Sequence, residues 1–159
     1  MKYISGIHAL NIPCSLNTMG DWHVSALQWD NPCEYDTEDS IFKDFGIEYN
    51  KKIPEHTQTY PVANHVRACL DLIDHGQFGY AQGMNKNYIS NKALNQIIFS
   101  KVLLLKNNKN WEEIKKFMNK EFTMEWIRFL KEKGLDMKDD DVDLLDDNEK
   151  DYFDNDDLE

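Results

Sequence analysis

Pro61-Val62-Ala63-Asn64-His65-Val66-Arg67-Ala68-Cys69-Leu70-Asp71-Leu72-Ile73-Asp74-His75-Gly76 reads as one amphipathic helix. Val62, Val66, Leu70 and Ile73, with Ala63 and Cys69 alongside, recur at helical spacing. Pro61 suits a first helical residue and Gly76 a left-handed stop, so the pattern predicts a helix over 61–75. The opposite flank carries Asn64, His65, Arg67 and Asp71. Arg67 and Asp71 are four apart, the spacing of an ion pair on a solvated helix face. His75, just before Gly76, places a cation at the negative end of the helix.

Downstream the helical period continues. Leu94, Ile97, Ile98, Val102 and Leu105 line one face of a helix expected from about 91 to 106, with Ser90 as its cap. Asn107 to Asn110 is turn chemistry, and Asn110 with Glu113 three residues on has the form of a capping box. Ile114, Phe117, Met118, Met124, Trp126, Ile127, Phe129 and Leu130 carry the stripe onward, with Thr123 as a dividing point and Gly134 as the end. Upstream, residues 1–58 have no helical period. Tyr3, Ile4, Ile7, Ala9, Leu10 and Ile12 form an apolar run that Pro13 stops. Trp22 to Trp29 partly alternates apolar and polar residues, as a half-buried strand does. With turn residues Asn17 to Asp21 between the two runs, the pattern predicts a hairpin. Residues 33–59 read as mostly irregular, with one helical turn over 40–45. The expected fold class is therefore α+β: a small N-terminal hairpin or sheet packed on three or four helices.

The charge divides the chain in two. Asp136 to Glu159 holds thirteen carboxylates against two lysines, which accounts for the whole formal charge of −11; the remaining residues carry 16 acidic and 16 basic side chains. The expected organisation is a single domain over 1–135 and an acidic, disordered segment over 136–159. That segment is not purely polar. Leu144, Leu145, Tyr152 and Phe153 interrupt Asp139, Asp140, Asp141, Asp143, Asp146 and Asp147, a pattern suited to folding on a basic, grooved partner. Asp139, Asp141 and Asp143 have the spacing of a calcium loop, but Leu144 stands where its glycine belongs and Lys150 where its glutamate belongs. An odd count of three cysteines argues against a secreted disulfide scaffold, no apolar run reaches the length of a membrane span, and the N-terminus lacks a signal-peptide core. The expected setting is cytoplasmic.

Few residues point to chemistry. His8, Cys14, His23 and Cys33 are zinc-type ligands, but they stand six, nine and ten positions apart rather than in the close pairs structural zinc sites use. Asp21 and His23 could form an orienting acid and a base, with no recognisable nucleophile beside them. Gln77 to Gly83 is glycine-rich without the pattern of a phosphate loop, and its Phe78 and Tyr80 could instead make partner contacts. No catalytic residue, cofactor or metal is assigned. A neutral body with an anionic tail is poorly suited to direct nucleic-acid binding, although Lys101, Lys106, Lys109, Lys115, Lys116 and Lys120 could form a local basic patch.

Lys2 to Asn11, Cys14-Ser15-Leu16-Asn17-Thr18, Gly20-Asp21-Trp22-His23 and Ala26-Leu27-Gln28-Trp29 resemble a group of small uncharacterised bacterial proteins encoded beside nucleotidyltransferase-type toxins. The resemblance covers about the first 30 residues and Val62 to Gly83, and does not extend to the acidic segment. It contains no catalytic signature, so no functional residue is carried over. It implies an antitoxin-like role. The expectation is thus a non-catalytic interaction protein that docks on a basic partner, such as a toxin or a nucleic-acid-processing enzyme, through the acidic segment with Phe78 and Tyr80. The alternative is a small enzyme or metal protein built on the N-terminal Cys/His/Asp/Trp cluster.

Overall fold

The computed structural model describes residues 1–137. A four-stranded sheet is built from β1 (Lys2–Ile4), β2 (Glu34–Asp36), β3 (Ile47–Lys52) and β4 (Thr59–Ala63), in the order β2-β1-β4-β3. β1 pairs antiparallel with β2 and parallel with β4, and β3 pairs antiparallel with β4 across a register shift between Glu48 and Lys51. Six α-helical segments accompany it: α1 (Gly6–Leu10), α2 (His65–Asp74), α3 (Phe78–Ala81), α4 (Asn95–Leu103), α5 (Trp111–Phe122) and α6 (Met124–Glu132). The class is α+β, as the sequence predicts.

The long helix begins later than its apolar stripe suggests. Tyr60, Pro61, Val62 and Ala63 are strand residues, and Asn64 caps α2 by accepting a bond from the Arg67 amide at 2.8 Å. Val62 and Ala63 are buried from the sheet, not from the helix. A proline on a strand needs no amide partner only where the ladder leaves that position open, and Pro61 takes no part in the registered pairs.

The polar flank of α2 is likewise the reverse of the solvated face expected. Arg67 is 0% exposed, and its guanidinium is satisfied on every side. It reaches Asp71 Oδ1 at 3.1 Å, the Phe45 carbonyl at 2.5 Å, Tyr3 Oη at 2.8 Å and Ser40 Oγ at 3.1 Å. Tyr3 and Ser5 donate in turn to Asp71 Oδ2 at 2.7 and 2.6 Å. This network ties β1, the 40–45 turns and α2 into one unit, and burial with the Asp71 carboxylate pushes the Tyr3 phenol far above its usual range. Gly46 allows the close approach: a Cβ there would stand 2.7 Å from that of Arg67.

The N-terminal hairpin does not form. Residues 22–29 pair with nothing as a strand; they make one short 3-10 turn, Val24–Ala26, and β1 takes the more distant 34–36 as its antiparallel neighbour. The alternation fails as a strand signal because Trp22, Val24 and Leu27 face solvent while Ala26 and Trp29 are buried, which no single sheet face provides.

The helical half follows its stripe more closely. Thr123, at φ +52°, separates α5 from α6. Asn110 makes no side-chain cap; Asn108 Oδ1 accepts from the Asn110 amide at 2.7 Å instead. Asn91, not Ser90, caps a 3-10 turn, Lys92–Leu94, by accepting from Ala93, and that turn leads into α4, which has no side-chain cap of its own. Phe99 is the centre of this half, with Phe122, Trp126 and Phe129 around it at 4.9, 5.5 and 5.4 Å between ring centroids. One continuous core joins these rings to the sheet.

Candidate functional site

Residues 11–33 cross the α1–α2 face of the domain and bring two features together. The first is a loop that displays apolar side chains. Met19 is 87% exposed, Trp22 67%, Val24 69% and Leu27 48%. Such residues in one short stretch normally mark a contact surface. The loop is nevertheless tied down. The Gly20 amide donates to the Tyr88 carbonyl at 3.3 Å and the Asp21 amide to the Leu10 carbonyl at 3.1 Å. Asn11 accepts from the His23 amide and donates to the Ala26 carbonyl. Asp21 Oδ2 lies 3.0 Å from His23 Nε2, so the expected acid–base neighbours do meet. At the far end His8 Nε2 donates to the Gln28 carbonyl, and Trp29 packs edge-on against the His8 ring at 4.9 Å.

Tyr80, on the short α3, stands outward beside this loop, with its ring 5.4 Å from that of His23. Phe78 turns the other way and stacks on Phe117 at 5.4 Å. Of the two aromatic residues expected to contact a partner, Tyr80 therefore joins the exposed loop and Phe78 the core edge. Asp139, Asp140, Asp141, Asp143, Leu144, Leu145, Asp146, Asp147, Tyr152 and Phe153 lie outside the described residues.

The second feature is a thiol and an imidazole that the sequence leaves 51 positions apart. His65 is wholly buried at the start of α2, and its Nε2 meets the Ile12 carbonyl at 2.7 Å. A carbonyl only accepts, so Nε2 carries the hydrogen and Nδ1 is left to face Thr18 Oγ1 at 2.5 Å. Cys14 Sγ lies 3.6 Å from the same hydroxyl. Burial works against ionisation of Cys14, yet hydrogen bonds from His65, Thr18 and the backbone prevail and hold its thiol at about 7. For His65, burial weakens the base, but the bonds to Cys14 and Ile12 outweigh it and raise its affinity for a proton. The neighbouring residues are anchored: Ser15 Oγ donates to Glu48 at 2.6 Å, and Lys51 Nζ to the Pro13 carbonyl at 2.9 Å.

Nothing in the periodicity could have announced this pair; Gly20 is the nearest thing to a signal. At φ +75° it lies against the imidazole, and a Cβ there would stand 2.3 Å from the Leu10 oxygen and 2.9 Å from His65 Cε1. Gly20→Ala should therefore cost about 2–3 kcal/mol in stability, read from denaturant unfolding. A loss below about 0.5 kcal/mol would mean that the loop slides off His65 freely.

His8, Cys14, His23 and Cys33 do not converge. His8 accepts the Cys33 amide and binds Gln28, Cys14 turns to Thr18 and His65, and His23 turns to Asp21. Among the described residues no three His, Cys, Asp or Glu side chains gather as metal ligands, and no helix is long and apolar enough to cross a membrane. Beside β2, a shallow cleft of about 310 Å³ is lined by Lys2, Glu34, Tyr35, Asp36, Ser40 and His75, among others, and the Ser40 hydroxyl there accepts from Arg67. Compared with family models, curated proteins and solved structures, the chain matches none, so its role rests on its own residues.

Proposed function

We propose that this protein is a non-catalytic binding protein, an antitoxin-like inhibitor or regulator, that docks on a basic partner acting on nucleotides or nucleic acid. The observation that carries the reading is the tied loop of 19–27. Trp22, Met19, Val24 and Leu27 stand exposed on a backbone already fixed by hydrogen bonds at both ends. A preset loop loses little conformational freedom on binding, and a displayed Trp is the residue type that most often anchors an interface. Tyr80 extends the same surface.

The choice of a basic partner comes from charge. The carboxylates of Asp139 to Asp147 attract a surface lined with Lys and Arg, and a partner that handles phosphate presents such a surface. Carboxylates seated there exclude phosphate, which is how binding becomes inhibition. Apolar Leu144, Leu145, Tyr152 and Phe153 give the acidic segment points of attachment. The resemblance of residues 2–29 to proteins encoded beside nucleotidyltransferase-type toxins supports the same reading.

The test starts with nuclease-treated capture from the native host on the full chain, followed by titration of the purified partner. The partner should be basic, and its Kd should rise about tenfold or more between roughly 0.05 and 0.3 M salt, because screened charge supplies much of the attraction. Replacing Asp139, Asp140, Asp141, Asp143, Asp146 and Asp147 with Asn should flatten that slope. An affinity indifferent to salt, or an acidic partner, would remove the charge argument.

A further inference from the structure

We propose that Cys14 is a nucleophilic thiol that is oxidised by hydrogen peroxide or a small hydroperoxide, with His65 as its acid–base partner. The inference stands on the geometry of the Cys14–Thr18–His65 cluster and is independent of any partner. Cys14 is half-buried rather than sealed, between the exposed Pro13 and Ser15. Its sulfur lies 3.6 Å from Thr18 Oγ1, and that hydroxyl faces His65 Nδ1 at 2.5 Å, so Thr18 links the thiol to the imidazole. Those neighbours are fixed in turn, since His65 is gripped by the Ile12 carbonyl and Thr18 by His65 Nδ1. The charged groups packed against this site are His65 from α2 and Glu48 with Lys51 from β3. Glu48 favours the imidazolium, and Lys51 lies 3.3 Å from Glu48 and offsets its charge. The pair is therefore suited to exist as thiolate and imidazolium near neutral pH.

The step balances with the peroxide as the oxidant. The thiolate sulfur attacks one peroxide oxygen, the S–O bond forms and the O–O bond breaks. The departing hydroxide takes the hydroxyl proton of Thr18, which is replaced by the proton on His65 Nδ1, and leaves as water. Sulfur loses two electrons and the peroxide gains them, and the oxygen that stays keeps its own hydrogen, so Cys14 becomes a sulfenic acid. Thr18 can donate to the developing oxyanion from its place beside Sγ.

The other two thiols serve as internal standards. Burial raises Cys33 above its ordinary value, and it pushes the wholly enclosed Cys69, bonded to Tyr88 at 3.4 Å, up to about 12. At pH 7 roughly half of Cys14 should be thiolate, against about three per cent of an ordinary thiol; the weaker nucleophilicity of a less basic sulfur takes back about fivefold, leaving a net advantage of roughly threefold.

The experiment uses the full wild-type chain. Iodoacetamide labelling at each cysteine is followed by peptide mass spectrometry across pH, and a second sample is treated with hydrogen peroxide and trapped with dimedone. The expected result is a Cys14 labelling midpoint near 7 and a dimedone adduct on Cys14 alone. His65→Gln should move the midpoint up by about one unit or more. Because His65 is buried and that variant could lose its fold, Thr18→Val provides a milder change in the same direction. A Cys14 midpoint at the ordinary value near 8.5, labelling of Cys33 at the rate of Cys14, or no trapped sulfenic acid would each overturn the proposal.

Discussion

Arg67→Met should destabilise the fold by about 3–5 kcal/mol, lowering the unfolding midpoint by about 10 °C or more, read by thermal and denaturant melts. The methionine fills much of the same volume, so the loss is not mainly one of packing. What remains is an Asp71 carboxylate in the interior with only Tyr3 and Ser5 to hold it. The Phe45 carbonyl loses its donor as well, and the Ser40 hydroxyl keeps only the Phe42 amide. Removing one member of a buried pair strands the other, and that cost exceeds what the pair contributes relative to apolar residues. The double variant Arg67→Met, Asp71→Leu should accordingly be less destabilised than the sum of the two single variants. Simple additivity would show that Arg67 and Asp71 do not act as one network.

Trp22→Ala should leave stability within about 0.5 kcal/mol of wild type while raising the Kd for the captured partner about thirtyfold or more, close to 2 kcal/mol. The two halves of that expectation come from the same fact. Trp22 touches little of its own domain, so nothing inside is lost, and it is the largest apolar surface the loop has to offer. The loss should appear mainly in the dissociation rate, as truncation of a central contact does. Neutralising the acidic segment should act mainly on the association rate and its salt dependence. A Kd within about threefold of wild type for Trp22→Ala would place the interface elsewhere on the chain.

The sequence is legible where side-chain period and burial have one meaning. α5 and α6 are readable because their apolar stripes face a single core, with Thr123 marking the division between them. α4 is found in place but turned: Ile97 of its expected stripe is exposed, and Phe99, outside that stripe, is buried at the centre. α2 is misread at its polar flank because a periodic pattern records which residues share a face, not what covers that face. Here β1 and the 40–45 turns cover it, and Arg67 and Asp71 satisfy each other inside. The three-residue strands β1 and β2 carry no pattern long enough to recognise, and the parallel pairing of β1 with β4 is a long-range choice. Residues 22–29 imitate a strand because their large apolar residues alternate, although the displayed ones are exposed. The Cys14–His65 pair is invisible for the same reason as the sheet: its members meet only after the chain has closed.

The position of β1 also sets a timetable. The strand formed by Lys2 to Ile4 is interior, and β4, its parallel neighbour, ends at Ala63. At roughly 5–20 residues per second of synthesis, the ribosome needs several seconds to deliver that partner and the Arg67 that locks behind it. Through that interval Tyr3 and Ile4 have only the three-residue β2 to pair with. β1 is therefore among the first segments made, yet its place in the sheet is complete only once β4 has emerged.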